Sequence, residues 1–289
     1  MKLMAYRLAA DGDRAPAQMG VVFEDTVAPL TSLESFYADV RGWRTKAALF
    51  RKGTLPLAGL SLAVPVPPTS KVICVAINYV EHGKEGGLPT PAFPNLFARW
   101  YSTLVPSGTP VPVPTAEPDG IDWEVELAAI IGDTIVDASA ARGLEGLLGY
   151  TVFNDLSGRA SQLEAMTLST GQWGLGKNLD NSGVIGSFIV TVDAVDAGNL
   201  RLTTTLDGET MQDGTTADMV FSVGQVIEHV SKTITLRPGD VIATGTPAGV
   251  GFGRKPRRYA KPGSVVEVNV HGVCAVTSPI VDNTHRGRG

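Results

Sequence analysis

The sequence predicts a mainly β (α+β) protein: a mixed β-sandwich roll or barrel over residues 67–289, preceded by a small α+β domain over residues 1–66. Three observations carry this expectation. Beyond residue 70, segments with strand character far outnumber helical ones, which favours a sandwich or rolled barrel over a doubly wound fold. The run Ala63-Val64-Pro65-Val66-Pro67-Pro68-Thr69-Ser70 sets three prolines within four positions. Neither a helix nor a central strand accepts that, so the run reads as a linker. Finally, 289 residues suit one large unit plus a small one.

In the small unit, Gly20–Phe23 and Thr26–Leu30 alternate as strands do. Leu33–Arg51 carries apolar residues at helical spacing and forms one helix or two. After the linker, Lys71–Ile77 is a β-branched run. Trp123–Ile131, Gly149–Phe153, Ser187–Val192, Leu200–Leu206, Asp240–Thr244 and Ser264–Val270 follow as strands, most of them bounded by Gly, Pro, Asp or Asn. The clearest helix is Ser222–Lys232. There Val223, Val226, Ile227 and Val230 share one face behind a serine N-cap. The chain shows no internal repeat and no low-complexity segment.

Hydrophobic residues make up 43% of the chain and charged residues 18%, the balance of a globular protein that can bury a large core without covalent staples. Cys74 and Cys274 form no CxxC pair, which argues against a disulfide framework and a structural zinc site. A reducing compartment, the cytoplasm, is the expectation. The opening MKLMAYRLAADGDRAP lacks the apolar run of a signal peptide, and no stretch approaches the roughly 18 apolar residues of a membrane span. Net charge is −5. Basic residues gather only at Arg254-Lys255-Pro256-Arg257-Arg258 and in the tail His285-Arg286-Gly287-Arg288. In an acidic chain these read as a solvated loop and a frayed terminus rather than phosphate contacts. Neither nucleic acid nor a membrane is an expected partner.

Five segments carry chemistry. In Asp122-Trp123-Glu124-Val125-Glu126-Leu127-Ala128-Ala129-Ile130-Ile131-Gly132, Glu124 and Glu126 lie two apart and share one strand face, within about 7 Å of each other. The apolar run behind them predicts a strand buried on both faces. Two like charges there repel and lose hydration, and a hard divalent cation removes both penalties. Oxygen-only ligands favour Mg²⁺, Mn²⁺ or Ca²⁺ over zinc. The alternative is a half-exposed strand with Glu outward and Val inward. In Gly149–Arg159 an aromatic, β-branched strand ends at Asn154-Asp155; Asp155 suits a third metal ligand, or equally a turn or N-cap. In Asn78–Glu85, His82 and Glu85 lie three apart and share a face on one helical turn, the pairing of a general base with its orienting acid, or of a surface ion pair. In Gly171–Asp180, Lys177 sits among Gly and apolar residues as a candidate oxyanion binder, with no carboxylate beside it in sequence. In Ala243–Gly251, glycines allow close backbone approach to a ligand and Thr246 offers a hydroxyl; the alternative is a plain Gly/Pro turn.

Taken together in order, these segments resemble the fumarylacetoacetate hydrolase family from about Pro67 to Val281. The resemblance is carried by NYxxHxxE at Asn78–Glu85, DWEVELAAIIG at Asp122–Gly132, FNDLSGRxxQ at Phe153–Gln162, GKNLD at Gly176–Asp180 and PGDVIATGTPAGVGF at Pro238–Phe252. It implies a β-rich roll, a homodimer and a divalent metal, usually Mg²⁺. By the same resemblance Glu124, Glu126 and Asp155 match the metal ligands, and His82 and Glu85 the dyad that activates water. Lys177 matches the lysine near the reacting carbonyl, and Arg159, Gln162 and Thr246 match positions that hold substrate oxygens. The chain departs from the family at Leu156–Ala160 and in the proline-free run after Lys177.

The function so implied is metal-dependent hydrolysis of a carbon–carbon bond in an acylpyruvate-type small oxo-acid. Decarboxylation of an oxo-acid, or isomerisation or hydration of a dienedioate, uses the same site without that hydrolytic step. A binding protein without catalysis would have no reason to keep ligands, base and lysine together.

Overall fold

The computed structural model describes all residues except 10, 11, 13, 14, 165–172 and 286–289. The basic tail expected from Arg286 to Arg288, and Gly171-Gln172 of the lysine segment, lie outside the described residues.

The first 66 residues form β1 (Lys2–Leu8), β2 (Gln18–Phe23), β3 (Thr26–Ser32), α1 (Leu33–Ala38), α2 (Val40–Ala47), β4 (Leu55–Pro56) and β5 (Leu60–Leu62). The helical pattern at Leu33–Arg51 thus yields two helices. Asp39 separates them with a non-helical backbone, and its side chain accepts the Gly42 N–H to start the second. Next come β6 (Val72–Ala76), α3 (Val80–Glu85), β7 (Asn95–Arg99), β8 (Leu104–Val105), β9 (Val111–Pro112) and β10 (Val125–Ile131). α4 (Ala140–Glu145), β11 (Leu147–Asp155), α5 (Arg159–Glu164), α6 (Trp173–Gly176), β12 (Gly183–Ile185) and β13 (Phe188–Thr191) follow. The chain ends through β14 (Arg201–Leu206), β15 (Glu209–Thr215), α7 (Val223–Ser231), β16 (Val241–Ala243), β17 (Val265–Val270) and β18 (Cys274–Val281). A capping box at Ser222 and Gln225 opens α7, as the sequence predicts.

Two sheets hold the fold. The large one runs β4-β3-β2-β1-β13-β11-β10-β16-β6-β7, with β5 paired to β1, and β12 joining β11 to β8. The small one runs β15-β14-β17-β18-β9. The architecture is mainly β and mixed, as expected. Strand β1 is linked to β13 in register (Leu3 opposite Ile189), so one sheet spans the N-terminal segment and the rest. The proline-rich run is packed rather than solvated: Ala63 and Val66 are fully buried, and the Tyr37 hydroxyl donates to the Pro65 carbonyl at 2.8 Å.

β10 sits between two cores. Val125, Leu127, Ala129 and Ile131 join the core shared with the small sheet, while Ala128 and Ile130 join the core under α1 and α2. The period-two alternation of a strand therefore buries both faces. Glu124 and Glu126 continue the even-numbered series.

Candidate metal centre and active site

Antiparallel register builds the acidic cluster. Val125 pairs with Asn154 and Glu126 with Phe153, so Glu124 lies opposite Asp155, whose N–H donates to the Glu124 carbonyl at 2.9 Å. Residues directly opposite share a face, and Glu126 stands one step along it. Oxygens of Glu124, Glu126 and Asp155 all fall within 4.8 Å of one another. All three residues are buried, with relative exposures of 4%, 1% and 0%. The solvated-face alternative for the two glutamates is excluded, because their strand has no solvated face.

The charges around this cluster are uneven. Lys177 Nζ lies 2.7 Å from Glu124 and 2.6 Å from Asp155. Arg159 donates to Glu124 at 2.6 Å and to Asp122 at 2.8 Å. Arg99 forms a buried ion pair with Asp155 through Nε. Among the described residues, four buried carboxylates thus meet three cations, and Glu126 is the acid without a cationic partner; its one hydrogen bond comes from the Gly245 N–H at 2.9 Å. Burial, then Asp155 and Glu124, push the Glu126 carboxyl well above the usual range. Burial alone would raise Glu124 too, but Lys177 and then Arg159 hold it well below. Burial disfavours the Lys177 ammonium, yet Asp155 and Glu124 keep its affinity for the proton raised. Three converging oxygen donors with one uncompensated charge fit a hard divalent cation.

Two predictions arise here. Glu126 binds its proton more tightly folded than unfolded, so its contribution is full below the ordinary glutamate range and fades as pH rises through the raised value. In EDTA, the thermal midpoint of Glu126→Gln should therefore pull ahead of wild type as pH rises from about 5 to 8. A difference that stays constant with pH would contradict the burial of an unpaired acid. The second concerns Lys177. Sequence proximity leaves its charge without a neutralising partner; the structure pairs it with two acids through the fold. Lys177→Met should cost roughly 3–5 kcal/mol in EDTA, the usual result of breaking a buried pair. Mg²⁺ should raise its melting temperature more than it raises that of wild type. An unchanged melting temperature in EDTA would remove the ion pairs from the account.

The glycine-rich run approaches the protein's own acids. Gly245 serves Glu126, Gly249 N–H donates to Glu85 at 2.8 Å, and Gly251 and Phe252 N–H donate to Asp122 at 2.6 and 3.0 Å. Gly249 has φ +106°, and a Cβ there would stand 2.3 Å from the Met211 carbonyl oxygen. Only glycine fits that position. Thr246 is buried and accepts a 2.8 Å hydrogen bond from Gln212.

His82 and Glu85 both lie on α3, with Nδ1 to Oε2 at 3.4 Å. A carboxylate can only accept, so Nδ1 carries the proton and Nε2 is left as the base. The turn into α3 passes through Ile77 at φ +58°, a strained value for a β-branched residue. Asn78 clamps it, donating to the Phe221 and Thr244 carbonyls at 3.0 and 2.8 Å and accepting from Phe221 N–H at 2.8 Å.

A cavity of about 510 Å³ brings His82, Glu85, Glu124, Glu126, Arg159, Gln162 and Thr246 together. Lys177 and Asp155 do not line it; they stand behind Glu124. Gln162 accepts from Arg159 at 2.8 Å through its oxygen, which among the described residues leaves its amide nitrogen for a substrate. Sequence reading missed Arg99, Asp122, Asn78 and Gln212 as parts of the site. Asp122 had a usable signal, since it directly precedes the Trp-Glu-Val-Glu run.

Fold and site together define an enzyme with an open cleft for a small molecule, its wall largely apolar and carrying Glu85, Glu124 and Glu126. The model of the fumarylacetoacetate (FAA) hydrolase C-terminal region matches residues 71–281, and the chain belongs to that family. A Burkholderia lata protein named only as a hydrolase is 41% identical over 224 residues, 76% of this chain and 78% of its own. Maleylpyruvate hydrolase from Sphingobium sp. SYK-6 superposes with a TM-score of 0.79 at 27% identity, covering 98% of this chain and 100% of that one. 5-Carboxymethyl-2-hydroxymuconate delta-isomerase from Mycobacterium smegmatis gives 0.77 at 30% identity, covering 98% and 99%. No helix of the described residues is long and apolar enough to cross a membrane.

Proposed function

We propose that the protein hydrolyses a carbon–carbon bond in an acylpyruvate-type β-diketo acid. The observation that carries this reading is a His–Glu pair and two of three clustered acids facing one cavity. Its size suits a small acid.

Glu124, Glu126 and Asp155 would hold the cation, Mg²⁺ being the first candidate. Bound there, it supplies Lewis acidity toward oxygens of the oxo-acid end. Glu85, itself fixed by Gly249, orients His82 so that Nε2 takes a proton from water. The water oxygen bonds to the distal carbonyl carbon. The carbon–carbon bond then breaks, its electron pair passes to the carbon next to the 2-oxo group, and the proton that His82 took from water is delivered to that carbon. A carboxylic acid and a 2-oxo acid leave. Arg159 and the Gln162 amide nitrogen bind substrate oxygens. Lys177 acts as a positioning residue, holding Glu124 and Asp155 in place, rather than as the oxyanion binder.

A second reading is isomerisation of a dienedioate, favoured by the 30% identity to the Mycobacterium isomerase. There the His82–Glu85 pair would move a proton between carbons without adding water. A panel of acylpyruvates, oxaloacetate and dienedioates, assayed with Mg²⁺ and Mn²⁺ against an EDTA control, separates the two. Hydrolysis of an acylpyruvate is the expected result. Turnover of dienedioates or oxaloacetate with none of acylpyruvates would overturn the hydrolase reading. A homodimer remains the expected assembly, to be tested by sedimentation.

A further inference from the structure

Beside the acids and the His82–Glu85 pair, the wall of the cleft carries Leu88, Phe97, Leu163, Trp173 and Phe252. They come from separate places in the chain: the loop after α3, β7, α5, α6 and the turn just past the glycine-rich run. All of them keep part of their surface open. Phe97 and Trp173 pack ring to ring, with centroids 5.1 Å apart. Apolar surface left open in a concave site is surface for a ligand to cover.

The cations around this surface are engaged elsewhere. Among the described residues, His82 and Arg159 are the only basic side chains in the wall. Arg159 already donates to Asp122, Glu124 and Gln162. Lys177 and Arg99 are buried against Glu124 and Asp155 and do not line the cleft. What lines it instead is the Phe97 ring, whose centroid lies 5.3 Å from Lys177 Nζ. Residues 165–172, which join α5 to α6, contain no Lys, Arg or His. A divalent cation and one substrate carboxylate would balance the single excess negative charge of the buried cluster. A second carboxylate would meet half-buried Glu85 and apolar side chains, with no cation to offset its lost hydration.

We propose that this surface receives an apolar tail. The substrate is then a monocarboxylate oxo-acid whose acyl group is alkyl or aromatic, and an acid with a second carboxylate at its far end is disfavoured. The proposal rests on the oxo-acid reading above and deepens it. Binding is measured apart from turnover, so the two can fail separately.

Binding of 2-oxobutanoate, 2-oxohexanoate and 2-oxoadipate is measured by calorimetry on the full chain with Mg²⁺. 2-Oxohexanoate should bind on the order of tenfold more tightly than 2-oxobutanoate, from its two further methylenes. It should also bind on the order of tenfold more tightly than 2-oxoadipate, which has the same length and a second charge. Trp173→Ala should shrink the first ratio several-fold. Leu88→Arg sets a cation into the wall and should move the second ratio toward 2-oxoadipate by on the order of tenfold, an effect that salt weakens. Each readout is a ratio between ligands on one protein, so a general loss of affinity cannot imitate it. In kinetics, benzoylpyruvate should exceed an acylpyruvate ending in a carboxylate in kcat/KM. Equal affinity of wild type for 2-oxohexanoate and 2-oxobutanoate, or tighter binding of 2-oxoadipate than of 2-oxohexanoate, would overturn the apolar assignment. So would ratios left unchanged by both substitutions. If the binding order holds and no acylpyruvate is turned over, the apolar surface stands and the hydrolase reading falls. If acylpyruvates ending in a carboxylate are the better substrates, the hydrolase reading stands and the apolar assignment falls.

Discussion

Glu126→Gln should lower turnover by on the order of a thousandfold while leaving the metal-free protein at least as stable as wild type. The loss follows from the size of Lewis-acid catalysis, several kcal/mol, with each 1.36 kcal/mol worth tenfold. The stability follows from the pairing pattern. Among the described residues Glu126 has no cationic partner, so neutralising it strands no charge and removes its repulsion with Asp155 and Glu124. Glu124→Ala and Asp155→Ala should behave differently. Each takes one acid from two buried cations and leaves three cations facing two paired acids: Glu124→Ala leaves Lys177 with Asp155 and Arg159 with Asp122, and Asp155→Ala leaves Lys177 with Glu124 and Arg99 with no carboxylate among the described residues. An uncompensated buried charge costs roughly 3–5 kcal/mol, so those two variants should melt early as well as lose activity. Relief of repulsion, which the sequence suggests for the two glutamates, therefore applies to Glu126 alone. Titration of Mn²⁺ into Glu126→Gln, with a melting curve in EDTA, checks both halves. Full activity in EDTA would reject the metal centre.

His82→Ala should lower turnover of an acylpyruvate about 100-fold or more, the usual contribution of a general base. Metal affinity should hold, since His82 is outside the carboxylate cluster. Glu85→Gln should cost a similar factor, because an amide oxygen that still accepts the Gly249 N–H turns the NH2 toward Nδ1, which moves the imidazole proton to Nε2 and removes the base. For decarboxylation of oxaloacetate no water needs activation, and the same substitution should have little effect. Steady-state rates on both substrates, with Mn²⁺ binding as a control, decide the matter. An unaltered hydrolysis rate would remove His82 from the reaction.

The part of this site legible in the sequence is the part encoded by local spacing. Period-two alternation in β10 places Glu124 and Glu126 on one face, and the apolar run behind them announces burial. The one-turn spacing of His82 and Glu85 survives on α3. Arg99, and the pairing of Lys177 and Arg159 with the acids, were not legible. Arg99 reaches Asp155 from the end of β7, a strand four places from β11 in the sheet, and no local pattern encodes that register. Lys177 is 22 residues from Asp155 and 53 from Glu124 along the chain, so its neutralisation is a property of the fold. The glycine-rich run was legible as close backbone approach, but what it approaches is decided by where β16 lies beside β10. The proline run looked like a linker because proline rejects regular pairing; it nonetheless packs, because its apolar side chains fill the core under α1 and α2.

The pairing of β1 with β13 also sets a timetable for synthesis. Lys2 to Met4 find their partners at Phe188 to Val190. At usual translation rates, roughly 10–40 s pass between the emergence of those two segments. β2 and β5 can occupy the rest of β1 early, since they arise within the first 62 residues. The Lys2–Met4 stretch of its far edge stays open until β13 arrives, and an open strand edge is a template for pairing with another chain. The early, partly made protein is thus the form most exposed to aggregation, and slowing synthesis between residues 62 and 190 would lengthen that exposure rather than aid folding.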